Sequence, residues 1–163
     1  MTDVRDTSPG RTHIRLEVDV DAPVERTWAA ATDWDHQGEW MLGTTVRGTV
    51  NDGRGVGGGI RAATGLGPFA VVDTMRITRW DPPHGAYVEH LGRIVRGTAA
   101  FEVVERPGGS TFVWSEQLDL PLGVLGRVGF ALLRPAFLVG LRLSLRRFAG
   151  WAQRHPGSVG PGV

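Results

Sequence analysis

The stretch from Gly126 to His155, GRVGFALLRPAFLVGLRLSLRRFAGWAQRH, limits the possible folds of this chain more than any other. It is long, mostly apolar and free of turn-forming pairs, so it reads as one helix of roughly 40 Å. With 3.6 residues per turn, Phe130, Leu133, Phe137, Leu141, Phe148 and Trp151 share one side. Arg127, Arg134, Arg142 and Arg146 form a wedge, and Leu125, Val128, Leu132, Val139 and Leu143 form a third arc. Apolar side chains therefore cover far more of the circumference than the stripe an ordinary surface helix buries. Such a helix is either wrapped by other elements or laid on a membrane or a partner chain. A bilayer span is disfavoured, because it needs about 20 predominantly apolar residues. Arg134 and Arg142 interrupt the run, and each is costly at the bilayer centre.

The residues upstream supply a wrapper. His13 to Val20 alternates, with Ile14, Leu16, Val18 and Val20 pointing one way, as in a half-buried strand. Asp21 is placed to cap a short helix over Val24 to Thr32, with Pro23 in its first turn and Val24, Trp28 and Ala31 inward. A second short helix is expected near Gln37 to Met41. Six strands follow, at Thr45–Val50, Ile60–Thr64, Phe69–Trp80, Ala86–Gly92, Ile94–Arg106 and Thr111–Leu120, separated by Gly, Pro, Asn and Asp turns. Consecutive strands with short turns make an antiparallel meander, and helices at its two ends indicate an α+β fold. A sheet this long must curl, and the C-terminal helix is the element able to fill its concave face. Residues 12–155 are expected to form this single domain. The segments 1–11 and 156–163 are polar or rich in Gly and Pro and are expected to be disordered tails.

Composition removes several kinds of chemistry. There is no cysteine, which excludes disulfides, thiolate metal sites and cysteine nucleophiles. There is no lysine either, since all 18 basic residues are arginine, so Schiff-base catalysis and a P-loop lysine are excluded. A net charge of +1 implies no strong electrostatic pull toward nucleic acid, and no nucleic-acid partner is expected. The N-terminus lacks the apolar core of a secretory signal, and a cytoplasmic location is expected.

Four motifs occur in order. They are Val20-Asp21-Ala22-Pro23-Val24-Glu25-Arg26-Thr27-Trp28; Asp33-Trp34 followed by Trp40; Arg79-Trp80-Asp81-Pro82-Pro83; and Gly109-Ser110-Thr111 followed by Val113-Trp114. As a set they resemble the START-like or Bet v 1-like (SRPBCC) superfamily, and within it the bacterial polyketide cyclase/dehydrase and lipid-transport group. The resemblance runs from about residue 13 to 153. It implies the helix-grip fold, a curved antiparallel sheet wrapped on a long C-terminal helix with a cavity between them. Pro135, inside that helix, departs from the pattern and is expected to kink or split it.

Trp34, Trp40, Met75, Phe101 and Trp114 are candidate lining from the sheet side, and Phe130, Leu133, Phe137 and Leu141 from the helix. Glu116 alternates with Trp114 and Leu118; if inward, it is a carboxylate in an apolar pocket. An ion pair with Arg76 or Arg96 is the structural alternative. Asp73, in step with Val71, Met75 and Ile77, poses the same question. His90 lies mid-strand and is the histidine placed for acid/base work. Asp33, Asp35, His36 and Glu39 cluster at a turn where such residues serve as caps, and no metal site is assigned. Gly53, Gly55 and Gly58 satisfy G-x-G-x-x-G, but a strand follows them instead of a helix, so no nucleotide cofactor is expected. No nucleophile elbow is present.

Binding of a hydrophobic small molecule, a lipid or polyketide-like compound, is the leading functional expectation. A polyketide aromatase/cyclase using Glu116, His90 or Asp73 is the alternative from enzymology. A peripheral membrane or protein-interaction module built on the Arg-edged helix is the third reading and ranks below both.

Overall fold

The register of hydrogen bonding shows how the N-terminal strands join the meander in one open, curved sheet. In the computed structural model, which describes residues 2–8, 11–65, 67–92, 95–119 and 123–154, the chain runs β1 (Thr2–Ser8), β2 (Arg11–Val20) and α1 (Val24–Ala31). A 3-10 turn at Trp34–Glu39 leads to β3 (Thr44–Val50), β4 (Gly59–Thr64) and β5 (Val71–Asp81). Then come β6 (Gly85–Leu91), β7 (Arg96–Arg106), β8 (Gly109–Asp119) and α2 (Gly123–Arg154). All neighbours are antiparallel, in the order β1-β2-β8-β7-β6-β5-β4-β3. Strand β2 lies beside β8 along its whole length, from Arg11 opposite Asp119 to Val20 opposite Ser110. The first long strand thus joins the far edge of the meander, and α1 with the 3-10 turn crosses to the other edge. This is the α+β helix-grip architecture, with α2 on the concave face.

The inward set of each strand follows the alternation in the sequence. Ile14, Leu16 and Val20 on β2 are buried, as are Phe112 and Trp114 on β8. One strand changes phase. A register shift between Ile77 and Arg79 inserts an extra residue in β5. Both Ile77 and Trp80 consequently face inward although they are three positions apart, as a bulge allows. Trp80 meets Trp28 of α1 edge to face at 4.9 Å, which fastens that helix over the sheet.

Several expectations change. The segment 1–11 is not wholly a tail, because residues 2–8 form β1 on the edge of β2. The sequence TDVRDTS has no apolar alternation; the unpaired N–H and C=O groups of an edge strand are what recruit it. Asp21 does not cap α1. The N-cap is Pro23 without a side-chain hydrogen bond, while Asp21 accepts a bond from Arg106 Nη2 at 2.6 Å. The short helix expected at Gln37 to Met41 is a 3-10 turn beginning three residues earlier. Helix α2 is not split at Pro135 and continues to Arg154. Proline removes one donor there, and its ring is exposed on the outer side of the helix rather than amid the cavity lining. The 156–163 segment lies outside the described residues.

The core concentrates at the C-terminal half of α2. Leu145, Phe148 and Trp151 pack with Ile14, Val20, Trp28 and Phe112. Phe148 is fully buried between Trp40 and Phe112, with ring centroids at 4.9 and 4.6 Å. This plug of aromatic rings fills one end of the grip.

Candidate ligand cavity

Toward the other end of the grip the inward residues become small. Ala62 and Ala99 of the sheet and Ala136 and Gly140 of α2 line this region, and side chains of this size cannot fill the gap that the aromatic rings fill elsewhere. The result is a cavity of about 420 Å³ between the concave sheet and α2. That size falls within the range of roughly 300–1,000 Å³ seen for small-molecule sites.

Trp34, Met75, Phe101 and Trp114 line it from the sheet side, and Phe137 and Leu141 from the helix. Trp40 does not. It is fully buried behind the wall, packed on Trp114 and Phe148 at 6.4 and 4.9 Å, because the turn after α1 drives its ring into the core. The side chains of Phe130 and Leu133 lie outside the described residues. The wall also includes Gln37, Leu42, Thr44, Thr64, Val71 and Ser144, which the sequence did not single out. Nothing in their type or spacing marks them; Gln37 and Leu42 come from the segment between α1 and β3, Thr44, Thr64 and Val71 from β3, β4 and β5, and Ser144 from α2. Leu42, Val71 and Phe137 line the cavity and are also solvent-exposed. They form its rim, between the β3–β5 edge of the sheet and the middle of α2.

Trp34 is held by a specific contact. Its Nε1 donates to the carbonyl oxygen of Gly53 at 2.8 Å. Asn51, Asp52 and Gly53 all have positive φ in the turn joining β3 to β4. A side chain at Gly53 would strike the Trp34 ring, so glycine is required there by both conformation and space. The Gly53, Gly55 and Gly58 pattern thus belongs to an antiparallel hairpin, not to a strand-to-helix phosphate loop.

One end of the cavity is polar. Asp73, His90 and Glu116 come from β5, β6 and β8, and register brings them together: Met75 pairs with His90, His90 with Gly97, and Ala99 with Glu116. His90 Nδ1 lies 2.6 Å from Asp73 Oδ2. His90 Nε2 and Asp73 Oδ1 are buried without a protein partner. Burial disfavours the charged imidazole, but the hydrogen bond to Asp73, the charge of Asp73 and a further contribution from Glu116 outweigh it. The pKa of His90 is therefore raised. Glu116 is enclosed by protein and shows the rest of its surface to the cavity. Burial raises its pKa; the positive field of His90 and the bond donated by Trp114 Nε1 to its Oε1 at 3.1 Å oppose this only in part. No arginine among the described residues pairs with it. Arg76 pairs instead with Glu89 on the outer surface at 2.9 Å. The cavity thus holds a carboxyl biased toward its acid form beside an imidazole biased toward its cation. Such a set can donate hydrogen bonds to an oxygen of a bound molecule and exchange protons with it.

The cluster at Asp33, Asp35, His36 and Glu39 is a surface feature in which His36 Nδ1 meets Asp33 at 2.9 Å. Among the described residues no group of three or more His, Asp or Glu has a metal-holding arrangement. Nor is any helix among them long and apolar enough to cross a membrane.

Residues 11–152 match the family model described as polyketide cyclase / dehydrase and lipid transport. The chain belongs to this family. The polyketide cyclase / dehydrase and lipid transport fold recurs in solved structures of low identity. The protein TTHA0849 from Thermus thermophilus superposes with a TM-score of 0.71 at 14% identity, over 87% of this chain and 97% of that one. The di-domain ARO/CYC BexL from the BE-7585A biosynthetic pathway superposes at 0.67 with 18% identity, covering 95% of this chain and 52% of its own. The di-domain ARO/CYC StfQ from the steffimycin biosynthetic pathway gives 0.65 at 14% identity, over 90% and 52%. This chain therefore spans about half of each di-domain protein. No curated protein sequence matches it.

Proposed function

We propose that this member of the family binds a hydrophobic small molecule, a lipid or polyketide-like compound, in the cavity between the sheet and α2. The observation that carries this reading is the cavity itself, which is apolar along most of its wall, open at a rim of Leu42, Val71 and Phe137, and polar at one end. Removing an apolar ligand from water into such a space yields about 25 cal/mol per Å² of buried area before the costs of association. The polar end would orient the ligand by an oxygen. The test is displacement of a fluorescent apolar probe by extracted lipids and aromatic polyketides, with native mass spectrometry of the purified protein. Gly140→Leu places side-chain atoms in the cavity, where an added Cβ meets nothing within 4 Å. It should weaken probe binding about tenfold or more while the fold persists. Unchanged binding in Gly140→Leu would sink the proposal.

A second reading is catalysis of the cyclase/dehydrase type, favoured by Asp73, His90 and Glu116 meeting at the cavity wall. In loss of water from a β-hydroxy ketone, one group takes the proton from the carbon beside the carbonyl. The other protonates the departing hydroxyl, so a double bond and a water molecule result. A reactive poly-β-keto substrate supplied to wild type, Glu116→Gln and His90→Ala separates the two readings. Identical product profiles from all three would leave binding alone.

A further inference from the structure

The apolar arc of α2 that includes Leu132, Val139 and Leu143 faces solvent. These residues are 77%, 61% and 45% exposed, although the opposite side of the same helix, with Leu141, Leu145 and Phe148, is buried in the core. Exposed Ala136 lies between them, so that positions 132, 136, 139 and 143 form one continuous stripe at helical spacing. The stripe is edged by the exposed Arg142, Arg146 and Arg147. Helix α2 carries six arginines and no aspartate or glutamate along its 32 residues. Phe137 and Ala136 belong at once to this helix surface and to the cavity wall, so the stripe is continuous with the cavity rim.

We propose that the outer face of α2 docks on the surface of an anionic lipid bilayer, bringing the rim of the cavity against the lipid. An apolar stripe edged by arginine is what an interfacial helix presents, with apolar groups in the acyl boundary and guanidinium groups at the level of the phosphates. The charge of the helix selects this occupant over a second copy of the chain. A two-fold contact along the stripe would set two acid-free, arginine-rich helices side by side, and like charges would repel. A bilayer of anionic lipid instead attracts each arginine. The part of the proposal that joins docking to the cavity rests on the ligand-binding reading above; the docking itself does not.

Flotation of the whole protein with vesicles of phosphatidylcholine, with and without phosphatidylglycerol, tests it. The protein is expected to float with the anionic vesicles, to float less as salt is added, and to stay behind with pure phosphatidylcholine. Leu132→Ser, Val139→Ser and Leu143→Ser combined should cut binding about tenfold or more. All three lie on the surface, so the triple variant should keep the wild-type melting curve and bind the cavity probe normally in the absence of vesicles. Arg146→Gln with Arg147→Gln should weaken binding chiefly at low salt. Failure to float with anionic vesicles would overturn the proposal, as would floating that the triple variant leaves unchanged. A concentration-dependent dimer abolished by the triple variant, without vesicle binding, would reassign the face to a second copy. Vesicle binding without probe binding would defeat the cavity reading and leave docking standing; the converse would defeat docking alone.

Discussion

His90 Nδ1 stands 2.6 Å from Asp73 Oδ2, across neighbouring strands at the polar end of a mostly apolar cavity. The pair explains how an imidazole that is 8% exposed can favour its charged form against the cost of burial. It also directs the second ring nitrogen to a place where no protein group meets it.

Asp73→Asn tests that assignment. The substitution keeps a hydrogen-bond acceptor but removes the negative charge, so the pKa of His90 should fall. Following the ring resonances of His90 against pH by NMR gives the answer directly. An unmoved titration would mean that the Asp73 charge does not hold the proton.

Stability should decline with rising pH as far as His90 and Glu116 are concerned. A folded-state pKa raised above the unfolded one contributes stability that is fully present below the unfolded value. It is lost as the pH climbs through the folded value. For Glu116 that loss begins above 4.5, and for His90 above 6.5. Glu116→Gln removes the first of the two. It should leave stability near wild type in acid and exceed wild type in alkali, as urea unfolding across the pH range would measure.

The two ends of the grip should respond differently to truncation. Phe148→Ala empties a fully buried site between two rings and should cost about 3–5 kcal/mol. Phe137→Ala, at the half-open rim, should cost under about 1.5 kcal/mol and weaken binding of the apolar probe instead. Equal losses of stability would show that the rim is part of the structural core.

Backbone constraint near the polar end is equally testable. Gly97 pairs with both His90 and Leu118 at a positive φ of 127°, and an added Cβ would run into the carbonyl of Gln117. Gly97→Ala should therefore cost on the order of 3 kcal/mol. Gly55→Ala, also at positive φ but with open space around it, should cost only about 1 kcal/mol. Thermal melts of the two variants distinguish a steric requirement from a conformational one.

Much of this molecule follows from local pattern. Period-2 alternation marked β2 and β8 and part of β5, because one face of each of these strands is buried. Turn residues divided them, and the apolar run marked α2. Asp73 and Glu116 also stood out from the alternation of their strands, and His90 from its place in mid-strand. That they sit at one cavity end, and that no arginine reaches Glu116, depends on register among β5, β6, β7 and β8, which alternation does not encode. Strand β1 escaped notice because its pairing comes from the open edge of β2 and not from its own side chains. Trp40 shows the same limit: a tryptophan beside a turn can serve wall or core, and only the path of the chain assigns it. The sharpest case is α2. Its residues put apolar side chains on more than one side, with Leu141 on one arc and Val139 on another. Which arc meets the sheet and which is left to solvent was decided by the curvature of the sheet and by the aromatic plug at Phe148. A helix apolar on opposite faces has no strong directional preference of its own, so its orientation comes from the partners that the fold puts beside it.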